Sequence, residues 1–229
     1  MRTLPGVAGT EAGALRPSGA AETAQTLDRG LRLLLLVADT PQGLTVTEAA
    51  ARLGVGRAVI YRLAATLAEH GMIRRDTSSR MRLGAGILHL AGRAQPLIAE
   101  MARPVLRRLA ESVGATAHLT VADGAEAMAL AVVEPSWTSF HVAYRTGARH
   151  PVGRGAAGRA IVAGRLGEPT WQSSTGELES GAHGVAAPVL GVDGLEASVG
   201  VIALAPLDPE VVGPEVLAAA AALAAVLTQ

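Results

Sequence analysis

Residues 45–83 read TVTEAAARLGVGRAVIYRLAATLAEHGMIRRDTSSRMRL. Thr45 stands three residues before Glu48, the spacing at which a hydroxyl and a carboxylate cap a helix start reciprocally. Val46, Ala49, Ala50 and Leu53 then recur at helical spacing and predict a short helix with one apolar stripe. Gly54-Val55-Gly56 breaks it, and a second helix begins near Arg57. The core face of that helix is Ile60, Leu63, Ala64 and Leu67, and Gly71 is its natural stop. Its opposite face carries Arg57, Ala58, Tyr61, Arg62 and Ala65. A helix buried on one side and basic on the other, reached through a tight turn, suits a major groove.

The residues after Gly71 extend the pattern. Met72 to Arg75 and Arg80 to Leu83 flank the polar turn Asp76-Thr77-Ser78-Ser79, which predicts a small hairpin, or wing. Met81 and Leu83 share one face of its second strand, so Arg80 and Arg82 are expected to point outward, toward phosphates or a minor groove. The alternative is an ordinary solvated basic face. The order of turn, helix and wing favours the DNA-reading unit.

The 229 residues suffice for two domains, and the net charge of zero hides an asymmetry. Residues 26–92 hold nine Arg against five acids, whereas residues 99–229 hold eight Arg against thirteen. A basic amino-terminal unit joined to an acidic remainder is expected where only one part meets phosphate. All twenty basic residues are Arg, which reads as GC-rich coding bias. The absence of Cys excludes disulfides and thiolate chemistry. Residues 1–23 read as a flexible tail. Leu31 to Ala38 is strongly apolar but short, without a small-residue cleavage pattern after it. It is expected to be the first helix of the DNA-binding unit, with Leu27, Leu31, Leu34 and Leu35 facing inward. No run reads as bilayer-spanning, so a cytoplasmic protein without membrane contact is expected.

Further on, Ile98, Met101, Ala102, Val105, Leu106, Leu109 and Val113 predict a helix, with a kink or fresh start at Pro104. Residues 84–95 read as the connector into it. Residues 117–122 and 127–133 alternate on either side of Asp123-Gly124, a hairpin signal. Residues 138–145 are expected to add a third strand, 155–165 a helix, 185–190 and 198–205 two more strands, and 214–227 a closing helix. The sum is an α+β domain around an antiparallel sheet flanked by helices.

Gly153-Arg154-Gly155-Ala156-Ala157-Gly158 satisfies a GxGxxG dinucleotide fingerprint, with Glu177 and Glu179 some twenty residues on. The mechanism needs a buried parallel strand leading into the first Gly, and Arg149-His150-Pro151-Val152 is polar and Pro-broken. A nicotinamide-dependent oxidoreductase is therefore the weaker alternative. His118, His141, His150 and His183 are isolated from one another, Ser173, Ser174 and Ser180 lack a strand-to-helix elbow, and no metal, cofactor or catalytic set is expected.

The chain resembles IclR-type transcriptional regulators over nearly everything after residue 23. The resemblance rests on TLDRGLRLL, TEAAARLGV, IYRLAATLAEHGMIRRD, the MRLG that ends the wing, PVLRRLAESVGATAHLTVADG, GRGAAGRAIVA and ELESGAHGVAAPV. It implies a winged helix-turn-helix domain over 24–84 and a linker over 85–98 whose helix dimerises. It also implies a GAF/profilin-like effector and dimerisation domain over 99–229. Partners implied are a palindromic double-stranded DNA operator, a second copy of the chain as homodimer or dimer of dimers, and a small-molecule effector. Expected DNA contacts are Arg57, Ala58, Tyr61 and Arg62 on the helix, Thr45 at its neighbour's cap, and Arg80 and Arg82 on the wing. Expected effector positions are Ala156, Ala157, Gly184, Ala203 and Ala205.

Two departures from the family pattern matter. The recognition helix starts Gly56-Arg57-Ala58-Val59 where the family usually has Pro, a basic residue and Ser-Thr, so two hydroxyls are missing. The family's long helical insertion between Ala163 and Trp171 is mostly absent, and Val201 to Ala205 offer no hydroxyls to a ligand. A ligand there is expected to be more apolar than a small carboxylate, held by free amides of Gly153 to Gly158. The alternative is a ligand-independent pairing module.

Overall fold

The computed structural model describes residues 24–138 and 144–229. The expected tail and the middle of the expected strand at 138–145, His141 included, lie outside the described residues. Contacts divide the chain into two compact units, Met1–His89 and Leu90–Gln229.

In the first unit, α1 (Gln25–Ala38), α2 (Val46–Leu53) and α3 (Arg57–Glu69) precede a hairpin of β1 (Ile73–Arg75) and β2 (Met81–Leu83). The capping box forms as the spacing predicts. Thr45 Oγ1 accepts from the Glu48 amide at 3.2 Å, and the Thr45 amide donates to the Glu48 carboxylate at 2.8 Å. Gly54 ends α2 with φ +66°, a left-handed value that glycine adopts without strain. The core is Leu33, Val37, Leu44, Val46, Ala49, Ile60, Leu63, Ala64, Ile73 and Met81. Leu44 pairs through its backbone with Met81, adding a third short edge to the wing.

The face of α1 differs from expectation. Leu27, Leu31 and Leu35 are 62%, 51% and 61% exposed, while Gly30, Leu33 and Val37 are buried. The run LRLLLLVA is apolar nearly all round, so periodicity alone does not select a side. The buried face is the one that meets α3, where a Cβ on Gly30 would stand in ordinary contact, 3.8 Å from Leu63.

The helix α4 (Gly86–Val113) runs 28 residues through Pro96 and Pro104, so the segment read as a connector is already helical at Gly86. The second unit continues with β3 (Thr116–Asp123), β4 (Glu126–Val133), β5 (Arg149–Pro151), α5 (Gly155–Arg165) and β6 (Gln172–Thr175). It closes with β7 (His183–Val189), β8 (Ala197–Ala203) and α6 (Pro209–Leu227). The sheet order is β5-β4-β3-β8-β7-β6, and every neighbouring pair is antiparallel. The strand beside β4 is Arg149–Pro151, later than the one expected at 138–145, and β6 was not foreseen. Strands of three and four residues are too short to alternate visibly.

Two-residue alternation divides the sheet's faces. Ala117, Leu119, Val121, Val185, Ala187, Val199 and Val201 pack with α4 and α6 in the main core. Ala186 instead joins Ala156, Ala157 and Ala160 of α5. The helix α6 is 19 residues long with a mean hydropathy of 1.8, long and apolar enough to cross a bilayer by composition, contrary to the sequence reading. One face of it (Val212, Val216, Ala219, Ala220 and Leu223) belongs to the core. That explains its hydropathy as a core helix of the domain.

Candidate nucleic-acid interface and effector cradle

The exposed face of α3 carries Arg57, Ala58, Tyr61 and Arg62. Among the described residues the guanidiniums of Arg57 and Arg62 have no ion-pair or hydrogen-bond partner, so the cations of this face are uncommitted. Arg75 of β1 stacks over the Tyr61 ring at 5.5 Å from its centroid, holding a 54% exposed aromatic in place from the wing. Between α1 and α3 lies a hollow of about 270 Å³ lined by Thr26, Arg29, Val59, Arg62, Leu63 and Thr66. Two arginines and no carboxylate line it, an arrangement that attracts phosphate. Arg29 escaped the sequence reading. Its signal is the turn-spaced position on α1 next to buried Gly30, visible only once the face of α1 is known.

The wing arginines are placed differently from expectation. The Arg80 guanidinium donates to the Gly43 carbonyl at 2.7 Å and pairs with the Glu48 carboxylate at 3.1 Å. The Arg82 guanidinium meets the Asp76 carboxylate at 2.8 Å, the Pro41 carbonyl at 2.5 Å and the Gln42 carbonyl at 3.0 Å. Both turn inward, tying the wing to the turn before α2. Strand alternation placed them off the core face but gave no sight of nearby carbonyls. Hydrogen bonds from Thr45 hold the Glu48 carboxyl below its ordinary range, with Arg80 adding. Arg82, then the Arg80 amide, do the same for Asp76. Thr45 itself is occupied as a cap.

In the second unit, α5 starts at the Gly-rich loop. Its first amides are not free. Gly155 N–H donates to the Glu177 carboxylate at 2.9 Å, and Ala156 N–H donates to Ser174 Oγ at 3.0 Å. Arg159 donates to the Glu177 carboxylate and to the Ser173 carbonyl, and Arg154 donates to the Glu177 carbonyl at 2.6 Å. Arg159, then the Gly155 amide, hold the Glu177 carboxyl below its usual value. An internal anion thus sits on the helix N-terminus, where the macrodipole favours one. The expectation of free amides is corrected accordingly.

Of the expected effector positions, Ala156 and Ala157 are buried in the first turn of α5, and Gly184 lies beside Ala156, its would-be Cβ 3.3 Å from Ser174 Oγ. Ala203 packs with the main core on the opposite face of the sheet, and Ala205 is exposed beyond the end of β8. Neither joins the other three. Strand alternation sends Ala203 away, and the strand ends too early for Ala205.

The α5 side of the sheet is instead polar and packed. Ser198 Oγ donates to the Ala157 carbonyl at 3.0 Å. His118 is buried, its Nδ1 3.0 Å from Thr120 Oγ1 and its ring edge-on to Tyr144 at 5.2 Å. Burial, with nearby His150 adding, brings its pKa down to about 3, so it is neutral. Gly200 makes room for the ring, since a Cβ there would stand 2.9 Å from His118 Cε1. His150 is 8% exposed and its Nε2 has no partner. Before the Gly-rich loop comes the antiparallel strand β5, with no buried parallel strand leading in, so the dinucleotide fingerprint lacks its structural context.

The model of the IclR helix-turn-helix domain matches residues 26–77, and that of the IclR carboxy-terminal domain of bacterial transcriptional regulators matches residues 94–169. The chain belongs to the IclR family. It is 31% identical over 147 residues to the HTH-type transcriptional regulator BhcR of Paracoccus denitrificans, covering 61% of this chain and 50% of that one. It is 26% identical to the transcriptional repressor IclR of Escherichia coli over 61% of this chain and 52% of that one. The chain spans about half the length of these curated relatives. An IclR homologue from Microbacterium hydrocarbonoxydans, solved with 4-hydroxybenzoate, superposes with a TM-score of 0.51 at 18% identity, covering 89% and 99% of the two chains. At that identity the likeness establishes the fold. The matched relatives are named as transcriptional regulators and repressors.

Proposed function

We propose that this IclR-family chain binds double-stranded DNA as a transcription regulator, acting in the cytoplasm on a palindromic operator as a dimer or a dimer of dimers. The reading places α3 in a major groove, with Arg57, Ala58 and Tyr61 toward base edges and Arg62 on a phosphate. Arg29 joins Arg62 on the backbone. One observation carries this: Arg29 and Arg62 line one hollow between α1 and α3, and they and the exposed Arg57 of α3 have no carboxylate partner among the described residues. Fluorescence anisotropy with duplexes selected from genomic DNA tests it. Tight binding that weakens steeply with salt is expected, and salt-insensitive or absent binding contradicts it.

A fold relative solved with 4-hydroxybenzoate is in keeping with a small-molecule effector, and Ala156, Ala157 and Gly184 are where we place it. Such an acid must displace Glu177 and Ser174 from the α5 amides. That occupancy also favours a second reading, a ligand-independent pairing module. Melting and operator release against a panel of small aromatic and aliphatic acids separates the two, since only the first reading predicts a shift.

A further inference from the structure

We propose that the carboxy-terminal unit holds a second anion site, sharing no residue with the α5 cradle, formed by Arg103, Arg107 and Arg145. It fits a small anion carrying two or more negative charges. Several arginines of this acidic unit are partnered internally. Arg149 meets Asp123 and Glu126, Arg159 meets Glu177, and Arg165 meets Glu196. Arg154 donates to the Glu177 carbonyl. The guanidiniums of Arg103 and Arg145, like those of Arg93 and Arg108 outside the hollow, carry no ion pair or hydrogen bond among the described residues, and that of Arg107 reaches only the Glu134 carbonyl at 3.4 Å. All three line one hollow of about 450 Å³ beside residues 132–135.

Three arginines lining one hollow repel one another, and thirteen acids over residues 99–229 were available to separate them. The acid in the lining is Glu134, whose exposed carboxylate has no ion pair among the described residues, so the hollow keeps an excess of two positive charges. Geometry narrows the class. Arg103 and Arg107 stand one turn apart on α4, while Arg145 comes from the segment between β4 and β5, so the hollow is lined by cations from two elements. That arrangement suits a compact anion that takes several charge-assisted bonds at once. A duplex needs cations spread along a stripe that follows its phosphates. The hollow's volume is in the range of small-ligand sites.

Isothermal titration of the full chain with pyrophosphate, at ionic strength held constant with chloride, tests the site, and succinate in a parallel titration distinguishes phosphate from carboxylate chemistry. Saturable heat at one anion per chain is expected. Arg103→Gln and Arg145→Gln should each weaken it about ten-fold. Arg165→Gln makes the same charge change at an ion-paired arginine and should leave the affinity unchanged. Glu134→Gln, which removes the competing carboxylate, should tighten binding. Melting curves establish that each variant folds. The proposal fails if neither anion gives saturable heat, or if the Arg165 variant loses as much affinity as the Arg145 variant. It also fails if the only defect of the Arg103 and Arg145 variants is weaker duplex binding, which makes the patch a nucleic-acid surface.

Discussion

The two helix-borne basic sites of this protein are opposites in how their charge is satisfied. On α3 and α1, Arg57, Arg62 and Arg29 face outward with no counter-charge among the described residues. At α5, the amides of Gly155 and Ala156 and the guanidinium of Arg159 are all met inside the unit by Ser174, Glu177 and the Ser173 carbonyl. The first arrangement is incomplete without an external anion. The second is complete without one, so a ligand there gains only the difference between its own contacts and those it displaces. The comparison teaches that a motif and its readiness to bind are separate properties, because readiness depends on partners distant in sequence.

The largest effect should come from the outward site. Replacing Arg29 and Arg62 together with Ala should weaken duplex binding roughly a hundred-fold, a loss of two charge-assisted contacts. The slope of log affinity against log salt should fall by about two, for two phosphates lost. Anisotropy across a salt series measures both. A single Arg57→Ala variant should instead relax preference at one base position, costing about 1–3 kcal/mol against the preferred base only. Uniform loss across sequences would move Arg57 to the backbone-contact class and blur the contrast between base and phosphate readers.

The effector side should respond through stability. Glu177→Ala leaves the Gly155 amide and Arg159 without their anion, and Glu177 is partly exposed, so the loss is a helix-cap loss of roughly 1 kcal/mol. That corresponds to a melting temperature lower by about 2–4 °C. The same substitution vacates the amide, so binding of a small carboxylate should rise in this variant. No gain would show that the cradle is structural.

Acid should act on the same unit in two steps of one sign. His118 is neutral in the fold at a pKa of about 3, against an ordinary 6.5, because burial disfavours its charged form. Its share of stability is complete above about 6.5 and is lost as pH falls toward 3. Glu177 is held low by Arg159 and the Gly155 amide, so its share is complete above the usual carboxylate range and is lost on acidification through it. Melting temperature should therefore fall from pH 6.5 downward. Glu177→Gln should remove only the lower part of that fall, and a profile unchanged by the variant would assign the whole of it to His118 and other groups.

How far the sequence foretold this is instructive by residue. Capping at Thr45 and Glu48, the break at Gly54 and the hairpin at Asp123-Gly124 were readable because each depends on neighbours within a few positions. The inward face of α1 was not, since leucines on all sides leave the choice to packing against distant residues such as Leu63 of α3. Nor was the occupied cradle, because Glu177 lies 22 residues from the amide it meets. Ala203 was misplaced for the same reason: its face follows from the register of β8 against β3 and β7.

The smallest expected effect bears on the wing, where sequence and structure disagree. Arg82 anchors the hairpin through Asp76 and the carbonyls of Pro41 and Gln42, all partly exposed, so Arg82→Gln should cost at most about 1 kcal/mol after solvent screening. Melting should shift by a few degrees at most, and the salt slope of duplex binding should not change. If the slope falls by about one, Arg82 must release its internal partners on the duplex and bind a phosphate there. The wing would then resemble α5 at rest and α3 in action, because internal pairing would serve only until a stronger anion arrived.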